Sequence, residues 1–157
     1  MLAQIVMSTL DETRPVLISG ATASGKSNLA LKIATELGGV IVNADALQVY
    51  GGWRILTARP NVEEESRAQH LLYGHIANQN VYSVGDWLRD IAPILKSGQR
   101  PIIVGGTGLY FRALTEGLAD IPRIPQHIKE QAKQFLRDGE VPFMLEALDN
   151  CTQSKID

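Results

Sequence analysis

Eight consecutive residues near the start of the chain have the spacing of a phosphate-binding loop. Positions 20–27 fit the pattern G-x-x-x-x-G-K-[ST] at every fixed position. In such a loop the glycines let backbone N–H groups converge on phosphate oxygens, Lys26 adds a mobile positive charge, and the Ser27 hydroxyl can ligate Mg²⁺. The predicted phosphate-binding residues are Gly20, Ala21, Thr22, Ala23, Ser24, Gly25, Lys26 and Ser27. The pattern alone leaves kinases, hydrolases and prenyltransferases open.

Two further groups of residues with chemical potential follow predicted strands. Asp45 comes directly after the apolar residues 40–44, and the glycine-rich residues 105–108, which include Thr107, follow residues 101–104. Because ligands of open parallel sheets gather at the carboxyl ends of the strands, we expect both groups beside the phosphate-binding loop. An aspartate there can ligate Mg²⁺ or accept a proton from a substrate. A helix cap or surface carboxylate for Asp45, and a simple tight turn for residues 105–108, are the alternatives.

The elements that must position these residues alternate between strand and helix. Apolar runs at 15–19, 40–44 and 101–104 predict buried strands, which favours a parallel sheet with helices on both faces, as in P-loop NTPases. Helices are predicted over about 26–37, 62–67, from the capping box at Ser83 to Gly98, 109–116 and 126–137. In the helix that begins at Ser83, the inward-facing residues are expected to be Val84, Trp87, Leu88, Ile91 and Leu95. In the helix over 126–137, they are expected to be Ile128, Ala132, Phe135 and Leu136. Pro142 is expected at the start of a further helix.

Three segments are predicted from these patterns. Residues 1–14 form a loose leader, residues 15–118 form the phosphate-binding core, and residues 119–157 begin a helical insertion. The net charge of −2 is unlike that of a strongly basic nucleic-acid binder. No apolar run reaches the ~20 residues needed to cross a membrane, and no signal peptide is predicted. The single cysteine, Cys151, fits a reducing cytoplasm.

Five segments, in the same order, resemble the tRNA dimethylallyltransferase family, also called tRNA isopentenyltransferases. They are G-A-T-A-S-G-K-S at 20–27, N-A-D-A-L-Q-V-Y at 43–50, T-A-R-P at 57–60, Y-S-V-G-D at 82–86 and P-I-I-V-G-G-T-G-L-Y at 101–110. The chain departs from the family pattern at Ala46, Gly51, Trp53, Arg54 and Leu56, and Arg59 stands where lysine is usual. Trp53 and Trp87 are interpreted as packing residues, with base stacking as the alternative.

The resemblance implies transfer of a dimethylallyl group from dimethylallyl diphosphate to the exocyclic amine of an adenosine beside the anticodon of tRNA. It implies that residues 20–27 hold the diphosphate with Mg²⁺, that Asp45 is the general base and that Thr107 acts at the reacting centre. By the same resemblance, tRNA or its adenosine is bound by Asp45, Ala46, Leu47, Gln48, Thr107 and Lys129. Residues 119–157 would then contact tRNA.

The family's chains are longer, so we expect these 157 residues to be a truncated form whose own activity is open. A sheet that lacks a later strand would leave an edge bare, and self-association is therefore expected. Three other functions stay as alternatives: a small-molecule P-loop kinase, an adenylate isopentenyltransferase, and a module that binds nucleotide or diphosphate without chemistry.

Overall fold

The computed structural model of the chain describes residues 10–11, 13–119 and 124–139. Strands and helices alternate up to residue 116, and one further helix follows. In chain order they are β1 (Val16–Ser19), α1 (Lys26–Leu37), β2 (Val40–Asn43), α2 (Val62–Arg67), β3 (His70–Leu71), α3 (Val84–Leu95), β4 (Pro101–Gly105), α4 (Gly108–Glu116) and α5 (Gln126–Asp138).

The four strands form one parallel sheet in the order β1-β4-β2-β3. Ser19 at the end of β1 is in register with Gly105, and Asn43 at the end of β2 is in register with Val104. The loops that follow β1, β2 and β4 therefore leave the sheet at the same edge. This arrangement confirms the predicted parallel sheet with flanking helices.

Each face of the sheet buries its own hydrophobic core. On one face α1 covers the sheet, where Ala30 and Ile33 are fully buried against Ile41 and Ile102. On the other face α3 and α4 cover the alternate strand residues, which include Ile103. Because helices cover both faces, the strands are apolar throughout rather than alternating with polar residues.

Trp87 on α3 ties the second core to the end of β2. Its side chain is fully buried, its indole N–H donates to the carbonyl oxygen of Asn43 over 2.8 Å, and its ring stacks on Tyr110 with centroids 4.5 Å apart. Burial raises the pKa of Tyr110 to about 12, so this phenol stays protonated as a packing group. The interpretation of Trp87 as a packing residue is confirmed, and its contact fixes the backbone two residues before Asp45.

The predicted inward face of α3 needs one correction. Trp87 and Ile91 are fully buried, but Leu95 is 39% exposed. The helix passes through Pro93 and ends at Leu95, directly after Ile94, which still packs against the core. A helical spacing that is correct along its length thus overstates burial at its end.

The segment from residue 50 to 80 contains more structure than the sequence predicts. The short helix α2 has the predicted bounds, and Asn61 opens it with a capping box that includes Glu64. The edge strand β3 was not predicted. It has two residues, His70 and Leu71, which pair with β2, and so short a strand leaves no alternation to recognise.

Two residues of the predicted leader are fastened to the sheet. Arg100, directly before β4, donates hydrogen bonds from its guanidinium to the carbonyl oxygens of Asp11 and Arg14. Leu10 packs against the core that α1 covers. These residues of the predicted leader therefore contact the sheet and its core.

The contacts divide the chain into two compact units between Leu118 and Ala119. In the described part of the second unit, α5 buries no residue, and Ile128 and Leu136 are 44% and 64% exposed. The predicted inward position of Ile128 and Leu136 is therefore wrong among the described residues, whereas Ala132 and Phe135 are partly buried. Pro142 and Cys151 lie outside the described residues. No helix in the described ranges combines the length and apolar character of a membrane span.

Candidate active site

The loop between β1 and α1 has the geometry of an anion cradle. Gly25, the residue before α1, is left-handed with φ of 85°, and Ala23 is also left-handed with φ of 62°. The first turn of α1 contains no acidic residue. The helix therefore places no carboxylate of its own first turn at its positive end.

A cavity of about 250 Å³ lies over this loop, lined by residues 23–28 and by Ala58. The ammonium group of Lys26 donates to the carbonyl oxygen of Ala21 over 3.0 Å. This bond holds the lysine side chain over its own loop. A bound phosphate oxygen could replace the Ala21 carbonyl oxygen as the acceptor of this bond. Five of the eight predicted phosphate-binding residues, Ala23 to Ser27, line this cavity, whereas Gly20, Ala21 and Thr22 do not.

Asp45 sits in a tight turn directly after β2. One carboxylate oxygen, Oδ1, accepts from the backbone N–H of Leu47 over 2.9 Å, and the N–H of Asp45 donates to the side chain of Asn43. Among the described residues, Oδ2 accepts no hydrogen bond. One half of the carboxylate orients the turn, and the other half is available to a ligand.

Gly106 lies between Asp45 and the phosphate-binding loop. A methyl group placed at Gly106 would lie 3.6 Å from the carbonyl oxygen of Gly20 and 3.7 Å from Oδ2 of Asp45. The carbonyl oxygen of Gly20 and Oδ2 of Asp45 both lie within 3.7 Å of this methyl position, so the distance between the two oxygens is less than twice 3.7 Å. At Gly105 a side chain would strike the backbone of Ala44 at 2.1 Å, so the strand ends can approach this closely only with glycine.

Thr107 is placed by the same edge of the sheet and contacts the Asp45 turn. Its hydroxyl oxygen accepts from the N–H of Ala46 over 2.9 Å, and its own N–H donates to Ala44. A hydroxyl that accepts one bond still has a proton to donate. The structure therefore brings Asp45 and Thr107 together, as the sequence predicts.

Gln48 is turned toward the T-A-R-P segment. Its side-chain nitrogen donates to the carbonyl oxygen of Thr57 over 2.8 Å. Ala58, which is left-handed with φ of 52°, then lines the phosphate cavity. Neither the contact of Gln48 with Thr57 nor the left-handed Ala58 was predicted, because no local pattern reveals a left-handed alanine or a bond between distant loops.

Arg59 fastens the same segment from its other side. Its guanidinium donates to the carbonyl oxygens of Tyr50 and Gly51, both over 3.1 Å.

Two of the residues predicted to bind tRNA are exposed. Leu47 is 66% exposed. Lys129 lies on the exposed surface of α5 in the second unit, and its predicted role in tRNA binding stays a prediction.

The residues present fit a magnesium ion that is bound together with a diphosphate. Mg²⁺ in phosphate sites takes one or two protein ligands and completes its shell with phosphate oxygens and water. Ser27 lines the phosphate cavity and can supply one hydroxyl ligand. The described residues contain no cluster of three or more histidine, cysteine or acidic side chains that could hold a metal alone.

Sequence comparisons identify the family. The family model described as IPP transferase matches residues 48–157, which is more than half of the chain. The chain belongs to the IPP transferase family. A second model, isopentenyl transferase, matches residues 14–81 and includes the phosphate-binding loop.

Two curated relatives of this chain are both named tRNA dimethylallyltransferase. A tRNA dimethylallyltransferase of Dinoroseobacter shibae is 57% identical over 154 residues, covering 96% of this chain and 51% of the relative. One of Roseobacter denitrificans is 58% identical over 144 residues, covering 92% and 50%. The chain thus spans about half the length of the curated relatives it matches. The predicted family is confirmed.

Solved structures confirm the fold of the IPP transferase chain. The full-length tRNA isopentenylpyrophosphate transferase of Bacillus halodurans matches with a TM-score of 0.65 at 29% identity, covering 92% of this chain and 48% of that one. A eukaryotic dimethylallyltransferase acting on tRNA matches with a TM-score of 0.64 at 26% identity, covering 73% and 31%. The parallel sheet with flanking helices is therefore the fold that this chain shares with these two structures.

Proposed function

We propose that this chain carries the diphosphate-binding and base-bearing part of a tRNA dimethylallyltransferase. The reaction would transfer a dimethylallyl group from dimethylallyl diphosphate to the N6 amine of an adenosine beside the anticodon of tRNA. The observation that carries the proposal is the meeting of Gly20 and Asp45 across Gly106. An anion cradle and a carboxylate in one pocket suit a reaction with a diphosphate leaving group and a weakly nucleophilic amine.

The bond changes follow from these two groups. The allylic C–O bond of the donor breaks, a C–N bond forms at the adenosine N6, and pyrophosphate leaves. Lys26 and the loop N–H groups stabilise the charge on the departing pyrophosphate. Oδ2 of Asp45 orients the amine and takes its proton, help that is worth ~10²–10⁴-fold in rate. Thr107 holds the Asp45 turn and can donate its hydroxyl proton at the reacting centre.

Substrate contacts beyond the reacting atoms are part of the same proposal. Ala46, Leu47 and Gln48 would line the approach of the adenosine, because they follow Asp45 in the same turn. Lys129 and the rest of residues 119–157 would contact tRNA outside the pocket. Mg²⁺, held by Ser27 and the diphosphate, would neutralise leaving-group charge. A single cysteine supports a cytoplasmic enzyme.

Ligand choice tests the donor half of the proposal. We expect dimethylallyl diphosphate with Mg²⁺ to raise the unfolding temperature of the 157-residue chain, and Lys26→Ala to abolish this shift. Stabilisation by ATP with no response to dimethylallyl diphosphate would instead indicate a kinase. Loss of the shift without Mg²⁺ would support the metal.

Acceptor choice tests the other half. Mass spectrometry should detect one added dimethylallyl group on an anticodon stem-loop after incubation with the chain and the donor. Modification of AMP but not of the stem-loop would indicate an adenylate isopentenyltransferase. Binding of both substrates without product would reduce the function of this chain to binding.

A further inference from the structure

The neighbouring residues Thr57 and Ala58 line two different cavities. Ala58 belongs to the phosphate cavity, whereas Thr57 belongs to an open pocket of about 380 Å³. This volume lies in the range of small-ligand sites, which is roughly 300–1,000 Å³. We call it the Trp53 pocket, and its lining residues are Leu47, Tyr50, Trp53, Leu56, Thr57 and Asn78.

The indole of Trp53 is exposed although its backbone is fixed. The side chain is 54% exposed, in contrast to the fully buried Trp87. The carbonyl oxygen of Trp53 accepts from both the N–H and the hydroxyl of Thr57, over 3.0 and 2.7 Å. The preceding residue, Gly52, donates to the side-chain oxygen of Asn78 over 3.0 Å. The interpretation of Trp53 as a packing residue is therefore wrong, and a firmly held loop presents a large aromatic face to solvent.

We propose that the Trp53 pocket receives an unpaired RNA base that neighbours the target adenosine. This inference rests on the proposed function and adds a second base-binding site to it. Leu47 belongs both to the pocket wall and to the turn that carries Asp45. The pocket therefore adjoins the turn that would receive the adenosine.

The lining is mainly apolar and contains one amide, which suits the apolar faces and the polar edge of a base. Bases have π faces that stack on tryptophan and tyrosine, and Trp53 and Tyr50 both line the pocket. Because Oδ1 of Asn78 is occupied by Gly52, its amide nitrogen is the free end, and no described residue accepts from it. A hydrogen-bond donor on an aromatic wall suits a ring nitrogen or carbonyl of a base edge, whereas a prenyl chain offers it no acceptor.

Tryptophan fluorescence makes the test direct, because the chain has two tryptophans and Trp87 is buried. An anticodon stem-loop should quench the emission of Trp53 on binding. Trp53→Ala should weaken stem-loop binding roughly tenfold, and Trp53→Phe should restore most of it, since stacking needs only an aromatic face. Ile55→Ala is the matched control, because Ile55 is 95% exposed on the same loop and does not line the pocket.

Stem-loops with one abasic position identify the base. One abasic substitution beside the target should weaken binding to the unmodified chain and have no further effect on Trp53→Ala. Equal weakening by every abasic position, or equal binding by Trp53→Ala and the unmodified chain, would overturn the inference while the proposed function stands. Weakened dimethylallyl diphosphate binding in Trp53→Ala, with unchanged stem-loop binding, would assign the pocket to the donor and also overturn it. Failure of the unmodified chain to bind any stem-loop would contradict the proposed function itself.

Discussion

The hydroxyl oxygen of Thr107 accepts a hydrogen bond of 2.9 Å from the backbone N–H of Ala46. This bond joins the loop after β4 to the turn after β2, next to the proposed base Asp45. The bonds of Asn43 and of the Asp45 carboxylate hold the turn from within residues 43–47. The bond to Thr107 holds it from a segment that follows a different strand. The position of the proposed base therefore depends on the relative placement of the ends of β2 and β4.

The first prediction concerns this bond. Thr107→Val removes the acceptor while keeping the shape of the side chain, and Thr107→Ser keeps the acceptor. We expect Thr107→Val to lower kcat/KM for stem-loop prenylation by at least roughly fivefold, the value of one hydrogen bond of about 1 kcal/mol. Thr107→Ser should retain most activity, and both variants should bind dimethylallyl diphosphate normally. Equal activity of the valine and serine variants would show that the hydroxyl has no part in the reaction.

The second prediction separates the two oxygens of Asp45. Asp45→Asn keeps an oxygen that can accept from the N–H of Leu47, but it removes the proton acceptor. We expect kcat to fall by ~10²–10⁴-fold, because that is the usual value of a positioned general base. The affinity for dimethylallyl diphosphate, measured by calorimetry, should stay within a factor of about two, since no loop N–H group is lost. A large loss of donor affinity with intact kcat would instead make Asp45 a binding residue.

Local signals in the sequence account for much of this fold. The bounds of α1 and α2 agree with the prediction, and Gly25, Gly38 and Asn61 stand at these helix ends, where glycine conformation and asparagine capping are favoured. The placement of Asp45 and Thr107 at one edge follows from the order of strands and helices in a parallel sheet.

What the sequence did not reveal depends on contacts between distant segments. The left-handed Ala58 is held beside the phosphate cavity by Gln48 and Arg59, and no pattern near residue 58 indicates it. The exposure of Trp53 is a second example, since a tryptophan is usually expected to pack. Burial of the apolar face of α5 was overestimated for the same reason, because periodicity shows a face but not its partner.

The third prediction concerns the fastening of the T-A-R-P segment by Arg59. A methyl group at Gly74 would lie 2.1 Å from the Arg59 guanidinium, and Gly74 is left-handed with φ of 57°. Both Arg59→Ala and Gly74→Ala should lower the free energy of unfolding, by about 1–3 kcal/mol each, since charged donors to two carbonyls are lost or displaced. In a double-mutant cycle measured by urea unfolding, we expect the two effects to overlap by at least about 0.5 kcal/mol.

Arg59→Lys serves as the control for charge in this cycle. Lysine keeps the positive charge but cannot bridge two carbonyl oxygens with a planar group. We therefore expect it to be less stable than the unmodified chain. Strict additivity of Arg59→Ala and Gly74→Ala would contradict the contact.

The fourth prediction is a pH dependence at the start of α3. The Ser83 side chain donates to the Asp86 carboxylate over 2.6 Å and accepts from the Asp86 N–H over 3.2 Å. The bond from Ser83 and the neighbouring Arg89 hold the pKa of Asp86 well below its ordinary value. Because the pKa is lower in the folded state, this carboxylate stabilises the fold fully above its unfolded pKa of about 4, and the stabilisation is lost as the pH falls toward the folded value.

Asp86→Asn tests that dependence. We expect it to lower the free energy of unfolding by about 1 kcal/mol at pH 7, the usual value of a helix cap, with the difference shrinking as the pH falls below about 4. Urea unfolding at several pH values from 7 to 2 measures it. In a Ser83→Ala background the same substitution should have a smaller and flatter effect, because the main cause of the pKa shift is gone. A difference between Asp86→Asn and the unmodified chain that is constant from pH 7 to pH 2 would show that this carboxylate does not couple folding to protonation.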